Sequence, residues 1–177
     1  MNKITLFLFL SIFSISISFS QAPKKPTSGD IYESIQKLNF LGTVLYIAAH
    51  PDDENTRLIS YFSNDVKART AYLSLTRGDG GQNLIGPEIR ELLGVIRTQE
   101  LLAARKIDGG EQFFTRANDF GYSKHPDETL EIWNKDEVLK DVVAVIRKIV
   151  TKKSSKLNQS KSVLFQMKHL YIQSFLD

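Results

Sequence analysis

The densest chemistry in the chain lies in Ala49-His50-Pro51-Asp52-Asp53-Glu54, where an imidazole and two aspartates fall within four residues. Imidazole nitrogen and carboxylate oxygen are donors for zinc or a similar divalent ion, and a carboxylate left outside the ligand set can act as a base toward water. Pro51 has a fixed φ and keeps His50 out of helical geometry, so the ligands are held before any ion arrives. If a helix begins at Asp53, His50 and Asp53 converge while Asp52 points elsewhere. The helix N-terminus would then favour both ionised aspartates by about 0.3–1 kcal/mol each. An ordinary helix start needs one capping side chain, so this cluster exceeds what capping explains.

Other polar clusters are weaker. Residues 76–87, Thr-Arg-Gly-Asp-Gly-Gly-Gln-Asn-Leu-Ile-Gly-Pro, form a glycine-rich loop that can approach a ligand closely, with Arg77, Asp79 and Gln82 along its rim. Arg97 and Glu100, three apart, read as a pair on one helix face. His125-Pro126-Asp127-Glu128 repeats the first motif superficially, but no apolar strand precedes it. It reads as a loop entering a helix with Pro126 in the first turn.

The elements that must position these groups alternate. The β-branched run at 43–48 reads as a buried strand, and a helical pattern from 53 to about 64 follows. A strand is expected at 67–75, a helix from Pro87 to about 106 ended by Gly109-Gly110, and a third strand at 112–115. In the 87–106 helix Ile89, Leu92, Leu93, Ile96, Leu101 and Leu102 are expected to face a core. Helices at 126–133 and 136–149 complete the order, the second burying Val138, Leu139, Val142, Val143, Ile146 and Ile149. A short helix is expected at 30–38. Such alternation predicts an α/β, Rossmann-like three-layer fold on a mostly parallel sheet with right-handed crossovers. Binding crevices in such sheets lie beyond the carboxyl ends of the strands, where His50–Asp53 and Arg77–Gln82 both fall.

The ends differ from this body. Residues 1–20 carry one charge, Lys3, before an apolar, Ser-rich stretch, the layout of a secretory signal peptide; secreted or periplasmic location without a lasting membrane span follows as an expectation. Residues 21–29 read as an exposed lead-in and 30–150 as the domain. Residues 151–177, polar and basic, read as an atypical Lys/Ser-rich tail in which only 163–176 could pack, as a loose helix. The body, 21–150, holds 17 basic and 19 acidic residues, so no basic face for nucleic acid is implied. With no cysteine, any metal must sit on His, Asp or Glu.

Tyr46-Ile-Ala-Ala-His-Pro-Asp-Asp-Glu54 resembles the signature of the PIG-L/LmbE-like family of zinc-dependent de-N-acetylases. The loop 73–82 and the helical segment 96–105 are similar to the family's next two segments, and the likeness spans about 40–149. The resemblance implies that His50 and Asp53 bind the metal, Zn2+ or alternatively Fe2+, and that Asp52 is the general base. It implies that Arg77 grips the sugar, and that an N-acetylated sugar or glycoconjugate loses acetate by attack of a metal-activated water. Family members carry a third ligand in a downstream His-x-x-His motif, which this chain lacks; His169 stands in a different context.

Two protein ligands in place of three imply weak zinc binding, and the break after residue 149 reads as truncation or frameshift, leaving a sheet incomplete at its C-terminal end. A non-catalytic carbohydrate-binding or interaction remnant is the alternative function, and a different Zn or Fe hydrolase of the same architecture a third.

Overall fold

The computed structural model describes residues 25–40 and 42–151, and the backbone of 163–167. The expected signal peptide, most of the 151–177 tail and His169 lie outside the described residues. An N-terminal unit ends at Tyr32, and the unit that carries the sheet begins at Glu33.

The first helix, α1 (Ser28–Gln36), starts two residues before the expected Asp30. The Thr27 backbone N–H donates to Asp30 Oδ2 at 2.7 Å and the Asp30 N–H returns a bond to Thr27 Oγ1 at 3.2 Å, a reciprocal cap. Ile35 and Leu38 are exposed.

Four strands, β1 (Thr43–Ala48), β2 (Arg69–Ser74), β3 (Glu111–Phe114) and β4 (Val163–Met167), form one sheet in the order β3-β2-β1-β4. Every pairing is parallel, with Thr43 opposite Arg69, Ala71 opposite Glu111 and Thr43 opposite Val163. This corrects the tail: 163–167 is a strand, where a loose helix was expected, and it lies beside β1. Turning outward from β1 to both sides, as this order does, creates a switch point in the sheet.

All six residues of β1 are buried, so both faces are covered, and side-chain alternation sorts them into two cores. Leu45, Ile47, Ala71 and Leu73 meet Val138, Val142, Val145 and Ile149 of α5 (Lys135–Thr151), with Leu130 and Trp133 of α4 (Pro126–Trp133) packed alongside. Tyr46, Ala48 and Tyr72 on the opposite face meet Ile59 of α2 (Thr56–Ser60) and Leu101 of α3 (Glu91–Asp108). Helix, sheet and helix make three layers, the expected α/β Rossmann-like fold.

Two helix boundaries move. α3 begins at Glu91, after Arg90 with φ of 53°, so Pro87 does not open it. Of the apolar residues expected to face the core there, Leu93 and Leu101 are buried, whereas Ile89, Leu92 and Leu102 are exposed and Arg105 and Asp108 are buried instead. Gly109 ends the helix as expected, in a left-handed C-cap with φ of 76° and its N–H on the Arg105 carbonyl. α2 begins at Thr56 under an Asn55 cap, not at Asp53, and runs into a π turn over Tyr61–Asp65.

Candidate metal centre and active site

Buried hydroxyls pin the three strand exits together. The Leu75 and Thr76 N–H groups donate to the carbonyls of Ala48 and Ala49, both at 2.9 Å, carrying the β1–β2 register past the strand ends. Thr76 Oγ1 donates to the Ala49 carbonyl at 3.0 Å, and Thr115 Oγ1 to the Leu75 carbonyl at 2.6 Å. The loops that follow therefore leave from a common, rigid rim.

His50, Pro51, Asp52 and Asp53 make a β-turn in which the Asp53 N–H donates to the His50 carbonyl at 3.4 Å. Pro51 supplies the second position and Asp52, with φ of 73°, the third, which is the pattern of a type II turn. The expected convergence of His50 and Asp53 is present, but a turn produces it rather than a helix start. Asp53 Oδ2 accepts from the His50 N–H at 3.1 Å and lies 3.5 Å from Nδ1 of the same residue. Two donors sharing a tetrahedral zinc ion stand about 3.3 Å apart, given ligand distances of about 2.0–2.1 Å. The 3.5 Å between His50 Nδ1 and Asp53 Oδ2 is close to that spacing. Among the described residues, no three His, Cys, Asp or Glu side chains are grouped to hold an ion.

Two tyrosines beneath the turn were not singled out from sequence. The Tyr72 hydroxyl donates to the His50 carbonyl, and the Tyr46 hydroxyl to the Asp53 carbonyl at 3.4 Å. Their rings meet edge to face with centroids 5.9 Å apart. Burial raises both phenols above their ordinary pKa, so each remains a donor. Behind Tyr72, the Arg105 guanidinium lies 5.4 Å from the ring centroid and pairs with Glu54 and Asp108, all three side chains being buried. Glu54, last of the motif, is therefore a structural partner of α3. Strand alternation and helix spacing carry signals for Tyr72 and Arg105 only once the strand register is known.

Asp52 projects outward, 75% exposed, and its Oδ2 accepts from Arg97 Nη2 at 2.6 Å. Arg97 also donates to Glu100 at 2.9 Å, so the expected helix pair exists and reaches the site as well. The two carboxylates hold the Arg97 guanidinium charged against partial burial. His50 is held above its ordinary pKa, first by the hydrogen-bonding Asp53 carboxylate and further by Asp119 and Asp52, against a lowering by burial.

Asp119, from the loop after β3, was missed in the sequence; its Oδ1 stands 3.8 Å from His50 Nε2. A lone aspartate in a loop carries no signal until that loop is placed. His50, Asp52, Asp53, Arg97 and Asp119 line one cleft of about 740 Å³, together with Gln82, Leu84, Ile85 and Ile96. Arg77 does not line it. Its guanidinium lies 5.0 Å from the Phe114 ring centroid, with Nη1 3.4 Å from the Thr115 carbonyl, and it borders a neighbouring cleft with Asp79 and Asn118. Pro126 stands in the first turn of α4, as expected, after His125, whose side chain makes no capping bond and whose carbonyl accepts from Ser123 Oγ at 2.8 Å.

No helix among the described residues is long and apolar enough to cross a membrane. Compared with curated proteins, the chain matches none. The sequence model of the family described as PIG-L: GlcNAc-PI de-N-acetylase matches residues 45–156, more than half of the chain and all of the turn, the glycine-rich loop and α3. The chain belongs to the PIG-L family, whose activity is de-N-acetylation of N-acetylated sugar substrates.

Proposed function

We propose that the cleft beside β1 hydrolyses the acetamide of an N-acetylglucosamine-type sugar, with His50 and Asp53 holding Zn2+, or Fe2+ as the alternative, and Asp52 as general base. The observation that carries this reading is the turn itself, which sets an imidazole nitrogen and a carboxylate oxygen 3.5 Å apart with a third acidic group on the same rim. A divalent ion bound there supplies polarisation of the amide carbonyl and acidification of water. Asp52 takes a proton from the water that adds to the carbonyl carbon and returns it to the departing nitrogen, giving acetate and a free amine. Arg97 engages Asp52 Oδ2 and so fixes the plane of the carboxylate; the other oxygen handles the proton. Arg77, with its neighbouring cleft, extends the site toward substituents distant from the acetamide. Action outside the cytoplasm, after removal of residues 1–20, belongs to the same proposal.

Asn tolerates the positive φ at position 52, so Asp52→Asn removes the base without straining the turn. Metal content and amine release from N-acetylglucosaminides, measured on both proteins, test the assignment. The variant should keep its metal and lose about 10²–10⁴-fold in rate. Equal rates would refute the base. A wild type that takes up neither Zn2+ nor Fe2+, yet binds the sugar, would favour the alternative, carbohydrate-binding reading.

A further inference from the structure

Leu84 and Ile85, side by side in the glycine-rich loop, are 91% and 96% exposed. A single exposed leucine is ordinary on a protein surface. Loop tips, however, are built mostly of polar and small residues, and adjacent aliphatic side chains left in water mark a binding surface when they join others. Both residues line the cleft of about 740 Å³ that holds His50 and Asp52, and so do Leu93 and Ile96 of α3. The aliphatic group and the hydrolytic group therefore belong to one cavity, and a molecule that fills it meets both.

We infer that Leu84 and Ile85 select the aglycone of the sugar substrate, and that this aglycone is apolar and uncharged. The inference rests on the de-N-acetylase reading above and names the substrate class for that same site. In an N-acetylglucosaminide the acetamide stands on C2, next to the anomeric carbon, so an aglycone on C1 is held close to the reacting group. Charge argues against an anionic substituent there. Asp52, Asp53, Glu88, Glu100 and Asp119 put five carboxylates along the cleft, and the Arg97 guanidinium among them already serves Asp52 and Glu100. This lining stays negative even with a divalent ion bound, and it repels a phosphate or carboxylate on the substrate. An aliphatic or aromatic aglycone brings no charge, and it covers the apolar surface of the loop while losing its own to water.

The loop is braced around the pair. Asn83 Oδ1 accepts from the N–H groups of Ile85 and Gly86 at 3.0 and 3.1 Å, and Asn83 Nδ2 donates to Glu88 Oε2 at 2.9 Å. Gly86 makes room for that carboxylate, since a Cβ there would collide with Glu88 Oε2. The Asn83 amide is thereby engaged within the loop, and the aliphatic side chains at 84 and 85 are what this segment offers to a ligand. Bracing them before binding lowers the ordering cost when an aglycone covers them.

Calorimetric titration of the full chain with methyl, butyl and hexyl N-acetylglucosaminide reads the subsite through binding, and an Asp52→Asn background keeps turnover out of the measurement. Affinity should rise by up to about fourfold for each added methylene. The double substitution Leu84→Ser/Ile85→Ser, at two exposed positions, should bring the hexyl-to-methyl ratio close to one. Ile107→Ser removes an aliphatic side chain that is 84% exposed on α3 but does not line the cleft, and it should keep the original ratio. A 5-carboxypentyl glycoside should bind more weakly than the hexyl one, by a margin that salt narrows. Equal affinity for methyl and hexyl glycosides, a length dependence that survives the double substitution, or tighter binding of the carboxylate would overturn the inference. So would binding to phosphatidylcholine vesicles that the double substitution abolishes while chain length has no effect, which would assign the pair to a membrane surface. Hexyl glucoside, which lacks the acetamide, separates this inference from the reading beneath it. If it binds as tightly as hexyl N-acetylglucosaminide and depends on Leu84 and Ile85, the apolar subsite stands and the acetamide assignment fails. If methyl N-acetylglucosaminide binds and added length gains nothing, the assignment stands and the apolar subsite fails.

Discussion

Arg105 is the residue on which the ground beneath the site depends. Its guanidinium donates to Glu54 Oε1 at 3.1 Å and to both oxygens of Asp108, and these side chains are 4% and 6% exposed. Removing the cation leaves two carboxylates without their counter-charge in a setting poor in water. Arg105→Met should therefore cost about 3–5 kcal/mol in denaturant unfolding, far more than truncating an exposed arginine. A loss below about 1 kcal/mol would mean that the carboxylates find other partners. The contrast between Arg105 and His50 shows what single residues disclose. His50, Asp52 and Asp53 could be read directly because their donors lie within one local turn, so type and spacing suffice. Arg105, Tyr72 and Asp119 act across 51, 22 and 69 positions of chain, and only the pairing of strands brings them to the motif.

At the scale of elements, the strands were legible because burial on both faces demands uninterrupted apolar runs, as in Thr43–Ala48. Helix starts were less so. Asp53 and Pro87 both carry N-terminal signals, yet the first belongs to a type II turn and the second to a loop, since the same residue types serve turns and helix caps. One tie between elements has a pH signature. Arg116, just beyond β3, grips Asp141 of α5 with Nε and Nη2, both at 2.9 Å, and also bonds Glu137. The Arg116 hydrogen bonds hold the Asp141 carboxyl below its usual pKa, and Lys140 does most to lower Glu137, with Arg116 adding to it. A lowered folded value contributes stability above the unfolded pKa, near 4, and loses it as pH falls through the folded value. Thermal unfolding of Arg116→Gln should thus show a small deficit at pH 6 that shrinks below about pH 4, and that salt also diminishes. A deficit independent of pH and salt would assign the residue a packing role instead.

For the molecule as a whole, the position of β4 decides whether the sheet is closed at the site. The polar run after α5 reads as a break in the fold, because it lacks the apolar continuity that announces a buried strand. Yet Val163–Met167 pairs with β1 from Thr43 to Ile47, ending three residues before His50. Val163–Met167 is apolar at four of its five positions, and a short apolar run does not by periodicity separate a strand from a helix, which is why it was expected to be helical. Without it, β1, buried on both faces, would present a full row of unpaired backbone groups to solvent, a template for pairing with another copy. A chain ending at Thr151 should therefore melt at a lower temperature than the full chain. Its sedimentation coefficient should also rise more steeply with protein concentration. Loosening of the β1 exit should weaken Zn2+ uptake in the same variant, because the His50 turn is anchored through the carbonyls of Ala48 and Ala49. If the shortened chain melts and sediments like the full one, β4 contributes nothing to the sheet's integrity, and the stiffness of the His50 turn must come from β2 and the buried hydroxyls alone.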